Sequence, residues 1–503
     1  MALLVGLAVC ASPIAASAAD SYAAKLVNLA QRYQTEGFFE YPTSATDAGI
    51  HRYDRNLEDF SARARAESFK RLQTFRNELA ELAPPPGATI HDRVDYLLLR
   101  SNIEDDWWQR TYLKPLSRNP TVYEGECSSS IFSLVKKKFA PDEVRTQDAI
   151  ARLHACRRVL DQGKTNLTDV VREFAQIASE DIGAGDSLYT TSLDAVARHA
   201  SPATKVQLKA AQSDALSALH AYKKWIDDNL SSWHSGGFAV GKKQYDWYLN
   251  RVLLLPYDSD QVRAIGTLEL KRDRALEAWE NNKDKYGAKP PRSPVFKNAA
   301  SYLQYYTDQR AHLVSFLKSH RIVDVPAYLG PFRVVPLPNA LSATYPGGFM
   351  NPPGMFDTDP SGFYFIPYYN PKAAGYFAHL SVVPLLGHEG IPGHFMQFSI
   401  AYHNPDYIRH IQGDGVFAEG WAFYGEEMLM RNGLYDNDPL ARKSILHLMR
   451  HRAARIGVDV GLATGQMSLP QAIDTFRAAG NLDRATASGE ATRFAMDPGQ
   501  AID

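Results

Sequence analysis

Cysteine is scarce in this chain, with three among 503 residues, at Cys10, Cys127 and Cys156. That is too few for a disulfide-stapled scaffold, so the fold must rest on a hydrophobic core. Charge of one sign is missing as well: 55 Lys and Arg stand against 56 Asp and Glu, a formal net charge of -1. No global field therefore directs the molecule to nucleic acid or to an anionic membrane. After the first few residues no run approaches the ~20 consecutive apolar positions of a transmembrane helix. Internal repeats and low-complexity linkers are absent, which leaves no clean division into separate domains. What is present is ample core material, since 45% of the residues are hydrophobic.

Residues 1–18 read as a secretory signal peptide. An apolar stretch from Ala2 to Cys10 leads to Ala16-Ser17-Ala18, a small-x-small site with cleavage expected after Ala18. The usual positive n-region is missing. Cys10 could carry a lipid anchor, but Val9 before it is too large for a good lipoprotein site. With Cys10 removed, Cys127 and Cys156 remain, 28 residues between them. In an exported protein such a pair either bonds or lies as two separately buried thiols, and spacing does not choose. The mature chain, 19–503, is read as one large domain, with an N-terminal helical part 19–322 and a metal-site part 323–503.

Helical periodicity dominates. It is read over 56–82, 91–116, 142–160, 169–182, 204–230, 259–282 and 299–320, with Ser201-Pro202 as a start signal and Pro84-Pro85-Pro86 as a stop. The Pro/Gly-rich stretch 323–371 differs. Within it Arg333-Val334-Val335 and Phe363-Tyr364-Phe365-Ile366 have strand chemistry, either a small hairpin or an edge able to pair with an extended peptide. The expected class is mostly α, with this small β element placed before the helix over 372–387.

The densest chemistry follows. Leu385-Leu386-Gly387-His388-Glu389-Gly390-Ile391-Pro392-Gly393-His394 is followed 25 residues later by Glu419-Gly420-Trp421-Ala422. Zinc takes imidazole nitrogens and carboxylate oxygens, and a catalytic zinc keeps three protein ligands and one open position. His388, His394 and Glu419 fit as ligands for one Zn2+ per chain, with Glu389 as the base that takes a proton from water. The familiar signature spaces its histidines four apart on one helix face. Here they are six apart, roughly 240° around a regular helix at about 100° per residue. Pro392 and Gly393 are the residues expected where a helix bulges, so the segment is read as one zinc helix with residues looped out.

Gly413 to Arg431 is read as the next helix. Glu419 and Glu426, seven apart, share a face of it, so one could bind zinc while the other orients a histidine. Glu426 and Glu427 are alternatively solvated charge. Asp438-Pro439 opens a helix bearing His447, Arg450, His451, Arg452 and Arg455, any of which could hold a substrate carboxylate or an oxyanion, or simply pair with nearby acids. Tyr345, Tyr364 and Tyr424 are possible oxyanion donors among 26 tyrosines.

The chain resembles the bacterial "domain of unknown function 885" family, grouped with helical zinc metallopeptidases that use a glutamate as third ligand. The likeness rests on His388-Glu389-Gly390-Ile391-Pro392-Gly393-His394 with Gln397, and on Glu419-Gly420-Trp421-Ala422-Phe423-Tyr424-Gly425-Glu426. Weaker words are Arg455-Ile456-Gly457-Val458-Asp459-Val460-Gly461, Glu490-Ala491-Thr492-Arg493-Phe494 and Pro498-Gly499-Gln500-Ala501. The resemblance implies a large helical zincin-like fold with a cleft, and short peptides as substrates. It also singles out Arg455 and marks departures. Phe395, Ala463 and Phe494 stand where relatives usually carry histidine, histidine and tyrosine, and relatives continue through further helices after the position of Asp503. If that histidine after the pair were the true ligand, this site would bind metal poorly.

Together these observations point to an exported zinc-dependent hydrolase, a peptidase acting on short peptides. The other readings are a catalytically silent binding protein of the same fold, favoured by the departures, and a zinc hydrolase of another amide or ester. Oligomeric state is left open.

Overall fold

The computed structural model describes residues 14–283, 293–337, 348–372, 374, 383–480 and 482–502. Most of the predicted signal, with Val9 and Cys10, lies outside them, as do Tyr345 and most of the helix read over 372–387. The described residues are mostly α-helical, and none of their helices is long and apolar enough to cross a membrane.

The predicted helices form where the apolar period and the caps coincide. Ser201 accepts a hydrogen bond from the Thr204 amide at the head of Pro202–Asn229, and Asp438 does the same for Ala441 at the head of Pro439–Thr464. Pro202–Asn229 packs with Asp142–Asn166 and Thr121–Val135 around Leu153, Val159, Leu208 and Tyr222. In that core Cys127 and Cys156 are joined as a disulfide, their Cα atoms 5.5 Å apart. Pro439–Thr464 lies along Ser259–Lys283 and anchors a second body of helices.

A small sheet stands between the two. Its strands are β1 (Phe332–Pro336), β2 (Phe349–Asn351) and β3 (Gly362–Ile366), in the order β1-β3-β2. Side chains alternate across a strand. Tyr364 and Ile366 therefore face the core of the second body, while Phe365 leans on the first. The hairpin reading is corrected here. β1 and β3 run parallel, Val334 opposite Tyr364, and β2 pairs antiparallel on the other side. β3 is thus central, with both its edges taken, and only β1 and β2 offer an edge.

Candidate metal centre

The helix Val383–Glu389 ends where the first motif begins to turn. The Gly390 amide still bonds to the Leu386 carbonyl at 3.1 Å, but the Gly393 amide reaches back to Gly387 at 3.0 Å. The chain folds so tightly over the helix end that a Cβ on Gly393 would lie 1.8 Å from the His388 carbonyl oxygen. Only glycine fits. A new helix, His394–Tyr402, starts at the next residue. The expected single bulged helix is instead two helices with a four-residue reversal between them. That reversal brings the two imidazoles together, ring centroids 4.7 Å apart and planes nearly perpendicular at 88°.

Glu419 comes from Gly415–Arg431, a helix whose Asp414 cap accepts a hydrogen bond from the Phe417 amide. Two contacts fix this helix against the histidine segment. A Cβ on Gly387 would meet Leu429 at 2.7 Å, so the helices cross closely there. Trp421 donates its indole N–H to the Pro392 carbonyl at 2.8 Å, tying one motif to the other. Glu419 then spans both histidines, Oε2 lying 3.6 Å from His388 Nε2 and Oε1 3.4 Å from His394 Nε2. One donor atom from each residue falls within 4.8 Å of the others. Tetrahedral zinc with bonds of ~2.0–2.1 Å needs donors roughly 3.3 Å apart, which the two imidazole–carboxylate separations approach, while the set as a whole spans up to 4.8 Å. The histidine side chains are 7% exposed and that of Glu419 is 50% exposed, which leaves the carboxylate side open.

Behind His388 stands Glu426, wholly buried. Its Oε1 lies 2.9 Å from His388 Nδ1, a close charge contact out of line for a full hydrogen bond. Arg452 holds the same carboxylate with both terminal nitrogens at 3.0 Å. Burial opposes charge on the His388 imidazole, but Glu419 and Glu426 outweigh it and raise the group to about 9. Hydrogen bonding from His388 and His394 holds the Glu419 carboxyl well below its usual range. Burial opposes ionisation of Glu426, yet Arg452 and His388 keep it below the ordinary value.

Glu389 ends the first helix, and burial raises its carboxyl above the ordinary value, against the pull of both histidines. Tyr364 on β3 is buried, with its hydroxyl lacking a partner among the described residues. Burial, then the Glu389 charge, raises that phenol well above its usual range. Both groups thus belong to the neighbourhood of the three convergent residues.

Other expectations fall elsewhere. Tyr424 is 56% exposed and lines a surface groove with Phe417 and Leu254. Five residues past Glu419, it is turned roughly 140° away from the carboxylate's face of the helix. Arg455 pairs with Glu490 at 3.0 Å and lies over the Phe494 ring. Its helix mates are also paired, His447 and Arg450 with Glu277 and His451 with Glu490. Among the described residues of that helix, Arg452 is the one that reaches the Glu426 carboxylate behind His388. Its only sequence signal was helical spacing within a basic helix. Glu427 is paired with Arg431. Phe395 stacks on Phe332 at 4.9 Å in the core beside the sheet. Ala463 and Phe494 are buried in packed clusters. Asp459 accepts from the Gly499 and Ala501 amides, at 3.0 and 3.1 Å, and from the Tyr245 hydroxyl at 2.6 Å. The later family words therefore fasten one another together.

Comparison with known proteins gives a consistent picture. A family described as "Bacterial protein of unknown function (DUF885)" matches residues 42–503. No curated protein matches the chain. Among solved structures, "a putative lipoprotein of unknown function" from Shewanella oneidensis is similar, with TM-score 0.73 and 18% identity, covering 95% of this chain and 90% of that one. "The putative lipoprotein" from Colwellia psychrerythraea is similar too, with TM-score 0.78 and 18% identity, over 96% of this chain and 90% of that one. At such identity the likeness shows the fold alone.

Proposed function

The chain belongs to the bacterial DUF885 family, and we propose that it is an exported zinc-dependent hydrolase that cleaves short peptides. The observation that carries this reading is the convergence of His388, His394 and Glu419, with Glu389 adjoining them. The donor chemistry fits zinc, two imidazoles and a carboxylate, with the carboxylate 3.4 and 3.6 Å from the two imidazoles. When bound, zinc supplies a Lewis acid and lowers the pKa of a water molecule to about 7. Glu389 takes the proton of the attacking water on its carboxylate and delivers it to the leaving amine. Burial moves its carboxyl toward neutrality, which suits a group that must both accept and return a proton. The unpartnered Tyr364 hydroxyl is a donor for the oxyanion that develops on the substrate carbonyl. Glu426 fixes the His388 ring so that Nε2 faces Glu419.

Export is supported by the Cys127–Cys156 disulfide, which persists in oxidising compartments, and by the lipoprotein descriptions of the two similar structures. The place of Phe395 supports this reading, because its ring fills the core beside the sheet.

The test is metal analysis after purification without added zinc, together with digestion of a mixed short-peptide pool. Close to one zinc per chain is expected, lost in His394→Ala and Glu419→Ala. Glu389→Gln should keep the zinc and abolish turnover. Stoichiometric zinc in His394→Ala would remove that residue from the ligand set. Zinc without any turnover in the wild type would favour a silent binding protein, and ester cleavage without peptide cleavage another substrate class.

A further inference from the structure

Far along the chain from the metal motifs, the N-terminal helices enclose a cavity of about 960 Å³, at the upper end of the range for small-molecule sites. None of the residues around it belongs to the metal cluster. Its wall contains an irregularity of the backbone. The helix Ile90–Trp108 widens into a π-turn at Gln109–Leu113, and Lys114 follows with a left-handed φ of 52°. Both features cost free energy and gather at ligand sites. Here they bring Arg110 and Lys114 to the cavity, where Arg110 reaches Ser68 at 2.6 Å and the Tyr41 hydroxyl.

Charged groups of both signs line the cavity. Half-buried on the inner wall are the carboxyls of Glu40, Glu58 and Asp106. That of Glu58 makes no hydrogen bond or ion pair among the described residues. Burial, then Glu126, with Glu40 and Asp106 adding to it, pushes it well above the carboxylate range, and Arg110 only partly opposes them. Glu40 is met by Arg71 and Arg110, and Asp106 accepts from the Tyr33 hydroxyl, so Glu58 is the inner carboxyl left without a bonded partner among the described residues. Toward solvent stand cations that are free to meet an anion. Arg63 and Lys114 are exposed with no ion pair among the described residues, and exposed Arg55 is engaged only through the field of Asp148. Phe39, 61% exposed, and Phe69, 36% exposed, supply apolar surface between the two zones.

We propose that this cavity binds a zwitterion, a free amino acid or the amino-terminal end of a short peptide, separately from the metal cluster. Its α-ammonium sits at Glu58, its apolar side chain lies against Phe39 and Phe69, and its carboxylate turns toward Arg63 and Lys114. An ammonium relieves the crowding of like charges inside, and each end gains a charge-assisted partner.

Isothermal titration of the full chain with phenylalanine, Phe-Ala-Ala, its N-acetyl form and its C-terminal amide tests this. Saturable binding is expected for the free forms, and comparing the amino acid with the tripeptide identifies the source. Acetylation should weaken binding about tenfold or more, as loss of one charged hydrogen bond implies. Glu58→Gln should weaken it similarly without lowering Tm, since the carboxyl has no bond to lose. Lys114→Gln should narrow the gap between the free tripeptide and the amide. Chelator-treated protein and the His394→Ala variant should bind as the wild type does, so this proposal stands or falls apart from the zinc reading. Equal binding of acetylated and free peptide, no effect of Glu58→Gln, abolition by chelation, or no saturable heat would each overturn it.

Discussion

Glu426 cannot be solvated where it stands, and its burial decides between the two readings its sequence position allowed. Sharing a face with Glu419 was legible from the seven-residue spacing; burial was not, because that depends on which helix packs above it. The helix that does so carries Arg452, whose guanidinium makes the buried carboxylate tolerable. With Glu426→Gln, the His388 ring loses the charge that orients it. Zinc affinity is expected to fall ~10–100-fold, measured by competition with a calibrated chelator. An unchanged affinity would reduce Glu426 to packing. The three proposed ligands and Glu389 were all readable from residue type and spacing. Tyr424 was not readable as a surface residue, since only the direction of its helix face separates it from Glu419.

Most helices were legible because cap and period agree, as at Ser201-Pro202 and Asp438-Pro439. The break at 390–393 was legible as a distortion but not as two helices, because proline and glycine signal a departure without giving its path. That path puts Gly393 against the His388 carbonyl. Gly393→Ala should therefore force the reversal open, lower stability by ~2 kcal/mol or more and strip the metal. Denaturant melts and zinc content would check this, and a zinc-loaded variant of normal stability would contradict it. The parallel pairing of β1 with β3 was hidden for a related reason: nothing local to either strand reports what lies between them. Within the Pro439–Thr464 helix, Asp459→Ala removes the buried acceptor of the Gly499 and Ala501 amides. A loss of about 3 kcal/mol or more is expected in urea unfolding.

Across the whole molecule, the disulfide and one acidic hub each add to the stability that the hydrophobic cores provide. The Cys127–Cys156 bond spans a sequence separation of 29, and loop entropy assigns it about 3–4 kcal/mol. The Cys127→Ser, Cys156→Ser double variant should lose that amount, and reductant should bring the wild type to the same denaturation midpoint. Glu490 gathers His451, Arg455 and Arg493. Burial disfavours its charge, but these partners prevail and lower its carboxyl to about 2 from an ordinary 4.5. A depressed carboxylate stabilises the fold above its unfolded pKa and loses that effect as pH falls through the folded value. The stability difference between wild type and Glu490→Gln should therefore shrink from pH 4.5 down to pH 2, as read from chemical denaturation at several pH values. A constant difference would show that the hub acts by packing.

The bonds from Asp459 to Gly499 and Ala501 impose a timetable on biosynthesis. They join residues 40 and 42 positions apart, so the long helix can emerge completely while its anchor is still inside the ribosome or the export channel. At ~5–20 residues per second that interval lasts a few seconds. Throughout it Arg452, and with it the setting of Glu426 and His388, rests on a helix whose far end is held by Tyr245 and Gly241 but not yet by Gly499 and Ala501. A chain threaded across a membrane in order would thus complete these last bonds behind the proposed metal site only after the anchor has passed.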